Sequence, residues 1–294
     1  MLIADKWEEY EVLDAGDGAK LERWGHGAES YILSRPDPQI LWPKEKPELW
    51  SKADGVYTRD EAGKGTWNFS NPNRKPPEKW QIRYNSPTGE LKFWIKPTDF
   101  KHTGIFPEQA VNWDWMIDLI KNSRREINIL NLFAYTGGAT IACAKSGAVV
   151  THVDSAKGMV EWASDNAKSN SAEARWVVDD VMKFVTREEK RGVKYDAIIM
   201  DPPSYGRGKT GETWKIEKML WPLIESSMKI LSDKPLFFVI NSYTTGLGTT
   251  VIKNMLESAL HDRGGKITSD EISLPITGSD KLLPAGISGR WEAK

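Results

Sequence analysis

"INILNLFAYTGGATIACAKSGAVVTHVD", residues 127–154, decides the fold. "INILNLF" is an apolar run of strand length, the form a strand takes when both of its faces are buried. "GATIACAKSG" reads as a helix closed by Gly147, and "AVVTHVD" as a second strand. A strand, a glycine turn, a helix and a strand make a βαβ unit, whose crossover helix brings the two strands parallel.

The same alternation runs outward from there. Downstream, "AKGMVEWASDNAKSN" (156–170) predicts a helix, "ARWVVDD" (174–180) a strand and "VMKFVTREEKRG" (181–192) a helix. "YDAIIMD" (195–201) is a strand, and "TWKIEKMLWPLIESSMKIL" (213–231) is helical with a kink at Pro222. "PLFFVINSY" (235–243) is a strand, "GTTVIKNMLESALHDRG" (248–264) a helix, and 266–275 with 285–294 a terminal hairpin. Upstream, "FPEQAVNWDWMIDLIKN" (106–122) is a helix with Pro107 in its first turn. Such alternation implies an α/β, mostly parallel, doubly wound sheet over residues 106–294.

Residues 1–105 have a different texture and predict a β-rich domain. "YEVLDAGDGAKLERWG" (10–25) reads as a hairpin with an Asp-Gly turn, and "ESYILSRP" (29–36) as a further strand. Residues 36–79 show no period and predict loops. "KWQIRYNSPTGELKFWIKP" (79–97) alternates apolar and polar residues on both sides of "NSPTGE", the pattern of a hairpin.

Composition narrows the function. The 294 residues carry a net charge of −1, so no global basic field advertises nucleic-acid binding, although a local patch can suffice. One cysteine excludes an internal disulfide, and four scattered histidines show no metal-ligand spacing, so no metal is expected. The start "MLIADKWEEYEV" lacks a signal-peptide pattern, and no apolar run approaches membrane length, which leads to the expectation of a cytoplasmic protein with no membrane partner.

In doubly wound sheets, ligands bind at the carboxyl ends of the strands. Gly137 and Gly138 let the backbone approach a ligand there, and the following helix offers free N–H groups. A tight turn without a ligand explains the same pair. Neither the G-x-x-x-x-G-K-[ST] phosphate loop nor G-x-G-x-x-G is present. Asp154, about twenty residues beyond the loop, is placed to accept hydrogen bonds from ribose hydroxyls, and Asp179-Asp180 ends the third strand. Carboxylates at successive strand ends suit a nucleoside without phosphates, such as S-adenosylmethionine (SAM). Asp154 and Asp180 also precede helices, where a capping role accounts for each alone.

The second feature is "DPPSYGRG", 201–208, at the end of an apolar strand. Two prolines remove backbone donors and stiffen the chain after Asp201. Together with "NLFAYTGGAT" (131–140), "VDSAKGMVEWASDNA" (153–167) and "VVDDVMKFV" (177–185), this segment resembles the Rossmann-like SAM-dependent methyltransferases of the large-subunit ribosomal RNA type. "HTGIFPEQ" (102–109) is similar to that family's T-G-x-F-x-[DE]-Q segment. The resemblance covers roughly residues 80–294; residues 1–75 do not look like the RNA-binding domain common in the family.

The resemblance implies a seven-stranded Rossmann-like sheet and SAM as cofactor. It sets Phe106 and Gln109 near the methionine end, Asn131, Ala134, Thr136 and Gly137 along the cofactor loop, Asp154 at the ribose, and Asp180 with Val181 at the adenine. Asp201, Pro202, Pro203 and Tyr205 would face the methyl acceptor, with RNA as the partner. Methyl transfer needs chiefly positioning. A carboxylate oxygen of Asp201 and the Pro202 carbonyl can hold an amino group, and Tyr205 can stack on a splayed-out base. The fourth position of the usual [DN]-P-P-[FYW] pattern is Ser204 here.

Cytosine C5 chemistry needs a cysteine nucleophile. The only cysteine, Cys143, falls inside a helix, and the strand end where the 5-methylcytosine branch carries its cysteine reads "NSYTTG". Cytosine C5 is therefore not expected, and a nitrogen or an oxygen acceptor is left; with the resemblance, the reading is a base nitrogen in RNA. A methyltransferase of a small molecule or protein, and a non-catalytic SAM- or RNA-binding module, remain open. Arg207 and Lys209 fit phosphate contact or a solvated loop. The basic and aromatic residues of 61–110 fit single-stranded nucleic acid, or a core with a solubilising surface.

Overall fold

In the computed structural model, all residues are described except 60–64, 70–71, 100, 208–212 and 245, together with the side chain of Arg207. The chain forms two compact units. One comprises Met1–Leu2, Val111–Ile272 and Ala285–Lys294; the other comprises Ile3–Ala110 and Ser273–Pro284.

The first unit carries a sheet built from β1 (Asn128–Leu132), β2 (Val149–Asp154), β3 (Arg175–Val178), β4 (Ala197–Met200), β5 (Phe237–Ser242), β6 (Lys266–Pro275) and β7 (Leu282–Glu292). The two-residue strand Leu2–Ile3 adds an eighth, and the order is Leu2–Ile3, β6, β7, β5, β4, β1, β2, β3. Seven strands are what the resemblance implies. The extra edge is too short to leave a period and exists only because β6 offers it an unpaired edge.

β1 to β5 are mutually parallel, and β7 runs antiparallel to β5. The carboxyl ends of β1 to β5 therefore share one edge. The helices are α1 (Ala110–Ser123), α2 (Gly138–Lys145), α3 (Lys157–Ser169), α4 (Val181–Arg191), α5 (Ile216–Ile230, containing Pro222) and α6 (Thr249–Leu260). None is long and apolar enough to cross a membrane.

Ala197–Met200 are all buried, which is why β4 reads as an unbroken apolar run rather than an alternation. On one face Leu130, Leu132, Ile198, Met200, Phe238 and Ile240 join Phe184 of α4, Leu223 of α5 and Leu256 of α6 in a single core. Each such side chain stabilises the fold by roughly 1.5–3 kcal/mol. On the other face, Trp115 of α1 meets Phe237 at 5.4 Å.

The second unit has a five-stranded sheet in the order Tyr10–Gly16, Ala19–Trp24, Tyr31–Pro36, Gly55–Arg59, Gly65–Asn68, and a separate hairpin, Trp80–Ser86 with Gly89–Ile95. Asp17 and Gly18, at φ 52° and 74°, make the first turn, as the Asp-Gly pair predicts. In the separate hairpin Trp80, Ile82, Tyr84, Leu91, Phe93 and Ile95 fill the buried face. Residues 36–79, expected to be loops, contribute two strands. Their pairing is set by distant partners: Leu33 lies opposite Gly55, and a Cβ at Gly65 would come within 1.5 Å of the Tyr57 hydroxyl.

At the centre of this unit Arg35 bonds both oxygens of buried Glu22, at 2.6 and 2.7 Å, and the Tyr10 hydroxyl donates to the same carboxylate at 2.8 Å. Residues 273–284 belong here because Ala4 N–H donates to the Ser273 carbonyl, Thr277 N–H donates to Val12, and Lys281 pairs with Glu45 at 2.6 Å. The units thus differ from a simple division at residue 105, since the β6–β7 connection is shared out by its own hydrogen bonds.

Candidate active site

The loop between β1 and α2 turns through left-handed backbone at Phe133 (φ 55°), Tyr135 (51°) and Gly137 (87°). Side chains rarely tolerate that region, so the loop is held from several sides. Ala134 N–H donates to the Val153 carbonyl at 3.1 Å, Tyr135 N–H to Asp154 Oδ2 at 3.0 Å, and Gly137 N–H to the Ala134 carbonyl at 3.1 Å. Asn166 of α3 donates to the Thr136 carbonyl at 3.0 Å.

The glycine pair also serves packing. A Cβ at Gly137 would stand 3.0 Å from the Ala163 Cβ, and one at Gly138 would stand 2.6 Å from the ring of Trp113. Beneath the loop, the Asn131 amide donates to Thr140 Oγ1 at 2.9 Å. Thr140 lies 2.9 Å from His152 Nδ1. Burial pushes His152 down to about 3, so its imidazole is neutral and can accept the threonine proton. Asn131 thus braces the loop from beneath, with one amide N–H bonded to Thr140.

Asp154, at the end of β2, is mostly buried. Burial raises its carboxyl above the usual range, and the bonds from Tyr135 and Ala156 N–H oppose that rise. Each oxygen accepts one backbone proton and keeps a further lone pair for a ligand hydroxyl. Asp179 accepts from Asp180 N–H at 2.8 Å and pairs with Arg187. Asp180 caps α4 by accepting from Lys183 N–H at 3.0 Å, so the capping reading describes its side chain. Val181 is buried in the core, which leaves only its backbone for a ligand. Val178 lies opposite Asp154 in the sheet register and is 45% exposed, an apolar surface that sequence reasoning missed. The Asp154 carboxylate, beside the open apolar Val178, suits the ribose and adenine of a nucleoside.

The chain leaves β4 into Asp201, whose N–H reaches the Leu132 carbonyl at 3.4 Å. Pro202 is buried and Pro203 exposed. Tyr205–Arg207 pairs antiparallel with Thr213–Lys215, a ribbon that the glycine-rich sequence had concealed. From that ribbon the indole of Trp214 donates to the Pro203 carbonyl at 2.6 Å and packs edge-on against Phe133, with centroids 4.9 Å apart. Trp214 thus joins the loop after β4 to the loop after β1. Its isolated place in the chain carries no signal of this. The Ser204 hydroxyl meets Thr244 at 2.6 Å, and Tyr205 is 50% exposed.

Asn131, Ala134, Thr136, Gly137, Asp154, Asp180, Asp201, Pro202, Pro203 and Tyr205 thus stand along the carboxyl edge of one sheet, with Val181 just inside it. Phe106 and Gln109 belong to the other unit, where Phe106 contacts His102 at 5.4 Å and Gln109 lies buried in the turn Pro107–Gln109. Lys209 lies outside the described residues, and of Arg207 only the backbone is described. Cys143 is fully buried in α2, and burial pushes its thiol well above the ordinary range, away from nucleophilic thiolate.

The sequence pattern of the S-adenosylmethionine-dependent methyltransferase family matches residues 64–247. A SAM-dependent methyltransferase structure from Agrobacterium tumefaciens is 33% identical, with TM-score 0.90 over 100% of this chain and 94% of that one. The ribosomal RNA large subunit methyltransferase K of Neisseria meningitidis serogroup B is 26% identical over 245 residues, 77% of this chain and 64% of that protein. The methyltransferase K/L of Syntrophotalea carbinolica is 32% identical over 140 residues, 46% of this chain and 18% of that protein. The chain therefore spans less than two thirds of these two ribosomal RNA relatives. With the family pattern over more than half its length, and the fold and loop that go with it, the chain belongs to the S-adenosylmethionine-dependent methyltransferase family.

Proposed function

We propose that the protein methylates a base nitrogen in RNA, with ribosomal RNA as the substrate class and the cytoplasm as the place of reaction. The observation that carries this reading is the Asp201-Pro202-Pro203 shelf. It follows β4, is tied by Trp214 to the loop after β1, and ends in the exposed Tyr205. The names of the curated relatives support the choice of RNA.

When bound, SAM supplies an electrophilic methyl group on a cationic sulfur. Asp154 would hold its ribose, Val178 and the backbone at Asp180–Val181 its adenine, and the loop 133–137 its amino-acid end. Phe106 and Gln109 are proposed for the methionine end on the resemblance alone. At the acceptor, the Asp201 carboxylate and the Pro202 carbonyl would each accept one N–H of an amino group. That arrangement orients the nitrogen lone pair, and the carboxylate can take the proton released as the N–C bond forms and the methyl–sulfur bond breaks, the sulfur leaving as a neutral thioether. Prolines suit this shelf because they add no competing donor. Cys143, buried and held as thiol, supports a route other than C5 of cytosine.

The test is transfer of labelled methyl from SAM to RNA, protein and small-metabolite fractions. Label in RNA, recovered after digestion as an N-methylated nucleoside, is the predicted result. Label confined to protein or small molecules would refute the RNA assignment, and label on cytosine C5 would refute the shelf chemistry.

A further inference from the structure

Among the described Phe, Tyr and Trp residues, Tyr205, Trp221 and Tyr243 are the exposed ones. Tyr243 directly follows β5, and Tyr205 follows β4 after the four residues Asp201–Ser204, on the edge that carries the shelf. Tyr243 is seated rather than merely exposed. Gly286 of β7, at φ 99°, lies against its ring, and a Cβ there would come 2.8 Å from Cδ1 and 3.0 Å from Cε1. Its two neighbours are also fixed. Ser242 is buried, and its hydroxyl accepts from Thr244 N–H at 3.2 Å, while the Thr244 hydroxyl meets Ser204 at 2.6 Å. That last bond joins the segment bearing Tyr243 to the segment bearing Tyr205.

An aromatic ring held in one place and left 41% open to water is a preformed stacking surface. Stacking on aromatic side chains is how unpaired bases are gripped, and it works for any base because each has a π-face. We infer that Tyr243 is a substrate-specificity residue that stacks on an unpaired nucleotide of the acceptor RNA, so that the enzyme takes single-stranded or extruded nucleotides and not intact duplex. The inference rests on the RNA reading above.

The experiment compares wild type with Tyr243→Ala, Tyr243→Phe and Tyr243→Trp. It measures methyl transfer to RNA and quenching of 2-aminopurine placed in a short single-stranded RNA, with affinity for S-adenosylhomocysteine and Tm as controls. Loss of one stacked base corresponds to roughly tenfold weaker binding. The alanine variant should raise the RNA KM and the oligonucleotide Kd about tenfold. Its kcat, S-adenosylhomocysteine affinity and Tm should stay near wild type. Phe and Trp should restore binding, because the ring and not the hydroxyl is needed. Wild-type KM and quenching in the alanine variant, with RNA still methylated by the parent, would overturn the inference and leave the RNA reading standing. If the parent methylates no RNA, that reading falls, and the quenching decides Tyr243 separately: quenching lost in the alanine variant retains it as a base platform, and no quenching by wild type removes it.

Discussion

After β1 the chain bends through left-handed backbone at Phe133, Tyr135 and Gly137; after β4 it runs into Pro202 and Pro203. Both loops leave the same edge of the same sheet. The first keeps its N–H groups and uses them to hold a strained path against Val153 and Asp154. The second discards two donors and keeps carbonyls and a carboxylate. The first is suited to fold around a cofactor, the second to accept hydrogen bonds from an amino group. Trp214 touches both, which makes the pair a single device with two separable halves.

The largest effect is expected at the start of α2. Gly138→Val would drive a side chain into the buried Trp113, whose ring lies 2.6 Å from where a Cβ would stand. Overpacking of this kind costs about 1–3 kcal/mol or more. Calorimetry should show both a lowered Tm and loss of S-adenosylhomocysteine binding, and unchanged binding would mean that the glycine pair does not shape the cofactor loop. A smaller, more selective effect is predicted for Trp214→Phe, which keeps a ring against Phe133 and removes the donor to Pro203. One lost hydrogen bond is worth about 1 kcal/mol, so kcat should fall roughly five- to tenfold. S-adenosylhomocysteine affinity should change less than twofold; equal losses in both would break the distinction between the two loops. The smallest effect is predicted for Cys143→Ala, a buried change at which turnover persists with a slightly lower Tm. A folded but inactive Cys143→Ala protein would return cysteine chemistry to consideration.

Much of this arrangement is legible in the sequence, for local reasons. The alternation of buried strands with helices fixes the parallel sheet, and Gly137-Gly138 and Asp201-Pro202-Pro203 stand at strand ends that the pattern itself locates. What is not legible depends on distant partners. Leu2–Ile3 becomes a strand only beside β6, and Gly55–Arg59 only beside Tyr31–Pro36 and Gly65–Asn68. Residues 273–284 join the N-terminal unit through bonds to Ala4, Val12 and Glu45, none of which a local period reports. The site shows the same limit. Asp154 stands where the spacing puts it, yet nothing local says that Val181 turns into the core, that an Asn131 amide N–H reaches Thr140, or that Trp214 reaches back to Phe133.

The most direct test of a donor loop and an acceptor shelf that act separately is Asp201→Asn, with S-adenosylhomocysteine affinity measured by calorimetry and methyl transfer to RNA measured in a single turnover. The isosteric amide keeps the size of the side chain but is a weaker acceptor and a poor base. The prediction is affinity within a few-fold of wild type and a transfer rate lowered by at least about 10²-fold, the scale of a positioned acid–base group. Transfer at the wild-type rate, or affinity lost along with it, would contradict the account.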